Sequence, residues 1–100
     1  MINENTLNFI RFSSGFNNLK KEELEAFAEN EIFELNEYNA SEGQQGKYFY
    51  TLEDVNTNGT LKSYIIECLK LSLQTRWGNN LEYHIDRKTK YLNKLTGMQV

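Results

Sequence analysis

The chain has 100 residues, a net charge of −3, 39% apolar residues, no proline and a single cysteine. At this length we expect one domain, residues 1–100, with a hydrophobic core that needs no disulfide or metal. No apolar run reaches the roughly 18–20 residues that a membrane helix requires, and the first residues lack a basic segment followed by an apolar one. We therefore expect a cytoplasmic protein that neither spans a membrane nor forms an internal disulfide.

The first predicted element is a strand over residues 6–12, a short segment rich in aromatic and β-branched side chains. The Ser-Ser-Gly sequence at residues 13–15 ends it. A helix is then predicted to begin after Leu19, with Lys20 in the cap position and two glutamates in its first turn. The apolar face of this first helix is formed by Leu24, Phe27 and Ala28.

Residues 31–39 are compatible with two structures. Continuing the first helix would place Ile32 and Leu35 on its apolar face. A strand would instead place Phe33 and Leu35 on one side and Ile32 on the other. We favour the strand, followed by a loop over residues 40–46, which are rich in glycine and polar residues.

The second half of the chain begins with the clearest strand pattern, residues 47–53, in which three aromatic residues follow one another. A loop is expected over residues 54–59, and Thr60 is predicted to cap a second helix that ends at Gly78. The apolar face of this second helix is formed by Leu61, Tyr64, Ile65, Cys68 and Leu69.

Apolar and polar residues alternate over residues 81–86, which predicts a further strand. Residues 87–100 fit a short helix or a returning strand, or form a C-terminal appendage without regular structure. The pattern of the whole chain indicates an α+β fold, a small two-layer sandwich in which an antiparallel sheet carries two helices on one face. We favour the order βαββαβ, the split-βαβ arrangement, over βαβαβ, which results if residues 31–39 are helical.

Charge is unevenly distributed along the chain. Residues 1–60 contain eleven acidic and four basic residues, a net charge of −7, whereas residues 61–100 contain three acidic and seven basic residues, a net charge of +4. The two parts could attract one another within the fold, or the acidic part could bind a basic protein partner. The candidate acidic binding residues are Glu22, Glu25, Glu29, Glu34 and Glu37.

The predicted central strands carry apolar side chains on both sides. Because helices cover only one face of the sheet in the split-βαβ arrangement, some aromatic residues would stay exposed on the other face. Phe9 and Phe49 are the candidates for this surface, as contacts for a protein partner or for a second copy of the chain. Alternatively, the segment 87–100 covers it.

Single-stranded nucleic acid is an alternative partner, because bases stack on exposed aromatic side chains and phosphates attract basic ones. The net charge of −3 makes this partner less favourable than a protein. The residues that would bind nucleic acid are Tyr48, Arg87, Lys88, Lys90 and Lys94.

No pattern indicates catalysis or a cofactor, and we predict neither. Glu82, His84 and Asp86 would share one face of the predicted strand, about 7 Å apart in succession. His84 is the only histidine in the chain, which excludes metal sites that need two. Cys68 falls on the apolar face of the second helix and is predicted to be a buried, unreactive thiol.

Residues 54–61 resemble the first half of an EF-hand calcium loop. Asp54, Asn56 and Asn58 match its first three ligand positions, but Ile65 stands where the last carboxylate is required. We therefore interpret this segment as a turn.

These features together suggest a small acidic protein-interaction module that is not an enzyme. Thirteen asparagines and three alanines indicate AT-rich coding, which would suit a phage or another mobile element. The hypothesis is an inhibitor that occludes a host protein, such as a nuclease, a nucleic-acid-binding protein or a defence protein, through its glutamate-rich surface. The alternative is a nucleic-acid-binding accessory protein.

Overall fold

The computed structural model describes residues 1–41, 43, 49–78 and 81–96. Within these residues the regular structure consists of five helices and contains no strand. The predicted α+β sandwich is therefore wrong in both of its topologies, and the molecule is a small helical bundle. The helices are α1 (Glu4–Ser14), α2 (Lys21–Ser41), α3 (Leu52–Thr57), α4 (Gly59–Gly78) and α5 (Leu81–Thr96).

The segment predicted as the first strand, residues 6–12, lies inside α1. The helix begins here because the Asn3 side chain accepts a hydrogen bond from the Thr6 amide at 2.8 Å, which satisfies one of the free N–H groups of the first turn. It ends at Gly15, whose φ of 80° suits glycine and whose N–H donates to the Arg11 carbonyl.

The apolar residues of α1 show why the strand prediction fails. A strand would place Leu7 and Ile10 on opposite sides, whereas a spacing of three residues places them on one side of a helix. Both are fully buried. Phe9 and Phe12, which the strand would have paired with them, lie on the outside of α1.

The predicted start of the first helix is confirmed at α2. The Lys20 carbonyl accepts the first helical hydrogen bond, from the Leu24 amide at 3.1 Å. Lysine is a poor capping residue, but the Glu23 carboxylate compensates by accepting a hydrogen bond from the Lys20 amide at 3.1 Å.

The predicted strand over residues 31–39 is wrong, because α2 continues without a break to Ser41. Ile32 and Leu35 are buried together, as the helical alternative requires. The predicted loop 40–46 begins inside this helix, and of its residues 42 and 44–46 lie outside the described part of the chain. The central buried stripe of α2 is Leu24, Ala28, Glu31, Leu35 and Asn39.

The predicted strand over residues 47–53 is also wrong where the structure describes it. The Asn36 side chain binds the backbone of Tyr50 twice, as acceptor from its N–H at 2.8 Å and as donor to its carbonyl at 2.9 Å. A side-chain amide thus supplies the hydrogen bonds that a neighbouring strand would have supplied. Helix α3 starts two residues later, at Leu52.

Helix α4 has the predicted buried face and the predicted end at Gly78. Its cap is Asn58 rather than Thr60, since the Asn58 side chain accepts hydrogen bonds from the amides of Thr60 and Leu61 at 2.9 and 3.0 Å. Helix α4 is the central element of the bundle, and each of the other four helices packs against it.

The predicted strand over residues 81–86 forms the first part of α5, and residues 87–96 continue that helix. The three alternating apolar residues, Leu81, Tyr83 and Ile85, are exposed, whereas His84 and Leu92 are buried at a spacing of eight. The alternation therefore lies on the surface. Among the described helices, none combines the length and apolarity needed to cross a membrane.

Candidate functional site

A stripe of exposed residues runs along α2 opposite its buried side. Each of its residues lies two positions before a residue of the central buried stripe. Because successive residues of a helix are separated by about 100°, two positions place the exposed stripe about 200° around the helix from the buried one. Every residue in it is exposed, and it extends about 22 Å at 1.5 Å per residue. We call this stripe the outer face of α2; it consists of Glu22, Ala26, Glu29, Phe33 and Glu37.

The outer face of α2 is negatively charged around an apolar centre. Phe33 is 63% exposed, with Glu29 one turn before it and Glu37 one turn after it. Neither of these glutamates, nor Glu22, forms an ion pair within the described part of the chain. Their charges are therefore not neutralised by that part of the molecule.

The predicted set of five acidic residues is divided by the helical geometry. Glu22, Glu29 and Glu37 lie on the outer face of α2. Glu25 is half-buried on one flank, and Glu34 lies on the other, where it pairs with a lysine of α5.

A buried carboxylate that the sequence analysis did not single out joins α2 to α4 and α5. Glu31 is 4% exposed. Its Oε2 atom lies 2.9 Å from Lys88 Nζ and accepts a hydrogen bond from the Tyr64 hydroxyl at 3.2 Å. Lys88 also pairs with Glu34. The attraction between acidic and basic segments thus operates inside the fold at this point.

A signal for Glu31 existed in the sequence. It occupies a core position of the helical stripe, between Ala28 and Leu35, and a glutamate there requires a cationic partner. The signal was missed because residues 31–39 were interpreted as a strand.

Burial and hydrogen bonds shift the pKa values of the groups around Glu31. Burial raises the pKa of the Cys68 thiol well above its ordinary value, and the Glu31 carboxylate adds to the effect. Burial also raises the pKa of the Tyr64 hydroxyl, and nearby Cys68 and Glu31 raise it further. Burial acts to lower the pKa of Lys88, but hydrogen bonds to Glu34 and Glu31 outweigh it, so that this pKa is raised. Cys68 therefore stays a protonated thiol near neutral pH, unsuited to act as a nucleophile.

These shifts predict that stability falls as the pH rises above about 9. The ordinary pKa values of the Cys68, Tyr64 and Lys88 groups are 9.0, 10.0 and 10.5, and each is higher in the folded state. Above pH 9 the unfolded chain therefore binds fewer protons than the folded one, which gives the free energy of unfolding a negative slope with pH. Urea unfolding at several pH values between 8 and 10.5 measures this slope. In a Cys68→Ala variant we expect the decline to begin about one pH unit later; stability that is constant over this range in the unmodified protein would contradict the prediction.

A cleft lies between α2, α4 and α5, next to the Glu31–Lys88 pair. Its volume is about 370 Å³, within the range of small-molecule sites. Leu81 and Ile85, which are 62% and 55% exposed, form an apolar wall. The described residues that line the cleft are Glu31, Cys68, Leu71, Ser72, Leu81, His84, Ile85 and Lys88.

The predicted grouping of Glu82, His84 and Asp86 is not formed. Residues two apart point in different directions on a helix, and of these three only His84 is buried. Asp86 pairs with Lys90 at 3.2 Å instead. The His84 Nδ1 atom is buried and has no hydrogen-bond partner among the described residues. In the part of the chain that the structure describes, no three acidic, histidine or cysteine side chains are grouped so as to hold a metal ion.

The calcium-loop resemblance also has a different structural basis. The Asp54 carboxylate accepts a hydrogen bond from the Thr51 amide at 2.7 Å, at the start of α3. The Asn56 side chain accepts from the Asn3 amide at 2.9 Å, and Asn58 caps α4. These polar side chains begin helices and connect them to one another.

The predicted aromatic surface depended on a sheet that is not present. Phe9 lies on α1, 48% exposed, with Lys62 Nζ 5.4 Å from its ring centroid. Phe49 precedes α3 and is 66% exposed. Tyr48, the aromatic residue of the nucleic-acid alternative, lies outside the described residues.

The predicted basic residues of α5 are mostly paired with acids of the same chain. Arg87 lies 2.5 Å from Glu67, Lys88 pairs with Glu31 and Glu34, and Lys90 pairs with Asp86. Lys94 is exposed and lines a groove at the start of α4. Three of the four charges offered to nucleic acid are thus balanced within the fold.

Comparison with protein-family models, with curated proteins and with solved structures gave no match for this chain.

Proposed function

We propose that the protein is a non-enzymatic interaction module that binds a basic surface of another protein through the outer face of α2 and thereby blocks that surface. The observation that carries this proposal is Phe33, a large apolar side chain exposed between glutamates that have no ion-pair partner in the described part of the chain.

The two components of this surface have different roles in binding. Unpaired carboxylates attract a basic partner over a distance and orient it, which raises the association rate. An exposed aromatic side chain supplies apolar contact area, the usual source of most of the binding energy at an interface. A helix held by buried contacts presents both without a large loss of conformational entropy on binding.

A protein whose basic surface normally binds nucleic acid is the partner class that suits this face best. Carboxylates spaced along a helix can occupy the positions that phosphates take on such a surface. A nuclease or a defence protein of the host is such a partner, and the AT-rich coding of the sequence supports a phage or mobile-element origin for its inhibitor.

The test compares variants of equal charge. In Glu22→Gln/Glu29→Gln/Glu37→Gln, the outer face of α2 loses three charges; in Glu4→Gln/Glu53→Gln/Glu82→Gln, the same charge is removed from other helices. Tagged protein is used to capture partners from a lysate of the source cells after nuclease treatment, and the affinity for the captured protein is then measured. We expect the affinity of the first variant to fall by about tenfold or more, and the affinity of the second to stay nearly unchanged.

A Phe33→Ala variant tests the apolar component and is expected to weaken binding about tenfold, as for a moderate interface anchor. Equal effects of the two charge variants would show that binding depends on net charge alone, which would contradict specific binding through the outer face of α2. Capture that disappears with nuclease would instead support the nucleic-acid alternative.

A further inference from the structure

The cleft between α2, α4 and α5 has a second feature besides its size: among the residues that the structure describes, the charged groups at the cleft do not balance. One ammonium group, that of Lys88, faces two carboxylates, those of Glu31 inside the cleft and Glu34 beside it. Two of the contacts to Glu31, from Lys88 and from the Tyr64 hydroxyl, are to the Oε2 atom, and the Cys68 thiol is a further hydrogen-bond partner of this carboxylate. A carboxylate has two oxygens, each able to accept more than one hydrogen bond.

The walls of the cleft are suited to an aliphatic chain. Leu71 lies at its base, 5% exposed, and Leu81 and Ile85 form one side with more than half of each side chain exposed. Ligand sites combine apolar walls with a small number of polar groups that fix the orientation of the ligand. An apolar wall beside a charged group therefore suits a ligand that is apolar along its length and charged at its end.

We propose that this cleft binds a lysine side chain of the partner protein. The four methylene groups of that lysine would lie against Leu81 and Ile85, and its ammonium would approach the carboxylates of Glu31 and Glu34. This inference rests on the proposed function, because it names one group of the basic partner. Glu34 connects the two surfaces: it follows Phe33 on α2 and pairs with Lys88 at the edge of the cleft.

Lys88 itself illustrates the recognition. Its side chain is an alkylammonium that reaches between α5 and α2 to two carboxylates, and its pKa is raised there. A second alkylammonium would restore equality between positive and negative groups at this position. Arginine fits less well, because its planar guanidinium binds best to both oxygens of a carboxylate and Glu31 Oε2 already has two partners.

The experiment uses a small probe and does not require the partner. Nα-acetyl-lysine-N-methylamide is titrated into ¹⁵N-labelled protein while the backbone amide signals are followed. The control probe is the norleucine analogue, which has the same aliphatic chain without the ammonium. We expect saturable shifts at Ser72, Ile85 and Lys88 with a millimolar Kd for the lysine probe, and much smaller shifts for the norleucine probe.

Two variants locate the site. Ile85→Ser removes part of the apolar wall, and Tyr83→Ser removes a similarly exposed side chain of α5 that does not line the cleft. We expect about fivefold weaker lysine binding for Ile85→Ser, from the apolar area lost, and no change for Tyr83→Ser. In Glu31→Gln the preference for lysine over norleucine should disappear.

Equal shifts with both probes, shifts confined to the outer face of α2, or an Ile85→Ser variant that binds like the unmodified protein would each overturn the inference. Its failure is distinguishable from failure of the proposed function. The probe titration reports on the cleft alone, whereas the variants Glu22→Gln, Glu29→Gln and Glu37→Gln change partner capture without touching the cleft.

Discussion

Replacing Lys88 with alanine is expected to lower the free energy of unfolding by about 3–5 kcal/mol, the effect of leaving a buried charge without its partner. Glu31 is 4% exposed and pairs with Lys88 at 2.9 Å. Without that ammonium, the carboxylate would retain only polar contacts such as the one from the Tyr64 hydroxyl, which do not neutralise its charge. Urea unfolding at pH 7, followed by circular dichroism, measures the change.

Lys90→Ala is the matched control. It removes the same charge from α5, two residues away, but its partner Asp86 has a side chain that is 63% exposed. A surface pair of this kind contributes less than about 1 kcal/mol, so we expect little change. The double variant Glu31→Gln/Lys88→Met should recover most of the loss, because it removes the unpaired charge and keeps an acceptor for Tyr64. Similar losses for Lys88→Ala and Lys90→Ala would show that Glu31 is not held in a buried ion pair.

The helices that the sequence predicted correctly are the ones with a long periodic apolar face. The apolar face of α4 extends over nine residues, from Leu61 to Leu69, and a strand cannot bury such a spacing on one side. The predicted strands, in contrast, are short. In residues 81–86 all three apolar residues are exposed, so their alternation does not mark a buried strand face. Exposure of an apolar residue cannot be read from the sequence.

Asparagine explains part of the remaining error. An asparagine-rich chain is usually interpreted as rich in turns, since this side chain competes for backbone hydrogen bonds. In this fold the same property begins and fixes helices: Asn3 caps α1, Asn58 caps α4, and Asn36 holds the backbone of Tyr50. Which backbone group an asparagine binds depends on contacts between distant residues, so composition alone does not determine it.

The residues of the candidate site could be predicted only in part, because their arrangement depends on whether α2 is helical throughout. The excess of glutamates over residues 22–42 was visible, but its division into an outer face, two flanks and one buried member depends on the helical period. The sequence analysis considered Phe33 only as part of a strand, on the same side as Leu35. Its position between Glu29 and Glu37 becomes a surface feature once α2 is continuous.

The second large effect is expected from Leu35→Ala, which should lower the free energy of unfolding by about 2–5 kcal/mol. Leu35 is fully buried on the inner side of α2, and its removal would leave a cavity in the core of the bundle. Phe33→Ala removes a larger side chain only two residues away, yet that side chain is 63% exposed. We expect a change of about 0.5 kcal/mol or less for this variant.

This pair of variants distinguishes helix from strand without further structural work. In a strand, Leu35 and Phe33 point to the same side, and the two substitutions would have comparable effects on stability. In a helix they are separated by about 200°, so a large difference is required. The comparison also bears on function, because a Phe33→Ala protein of unchanged stability attributes any loss of partner binding to the outer face of α2 rather than to unfolding.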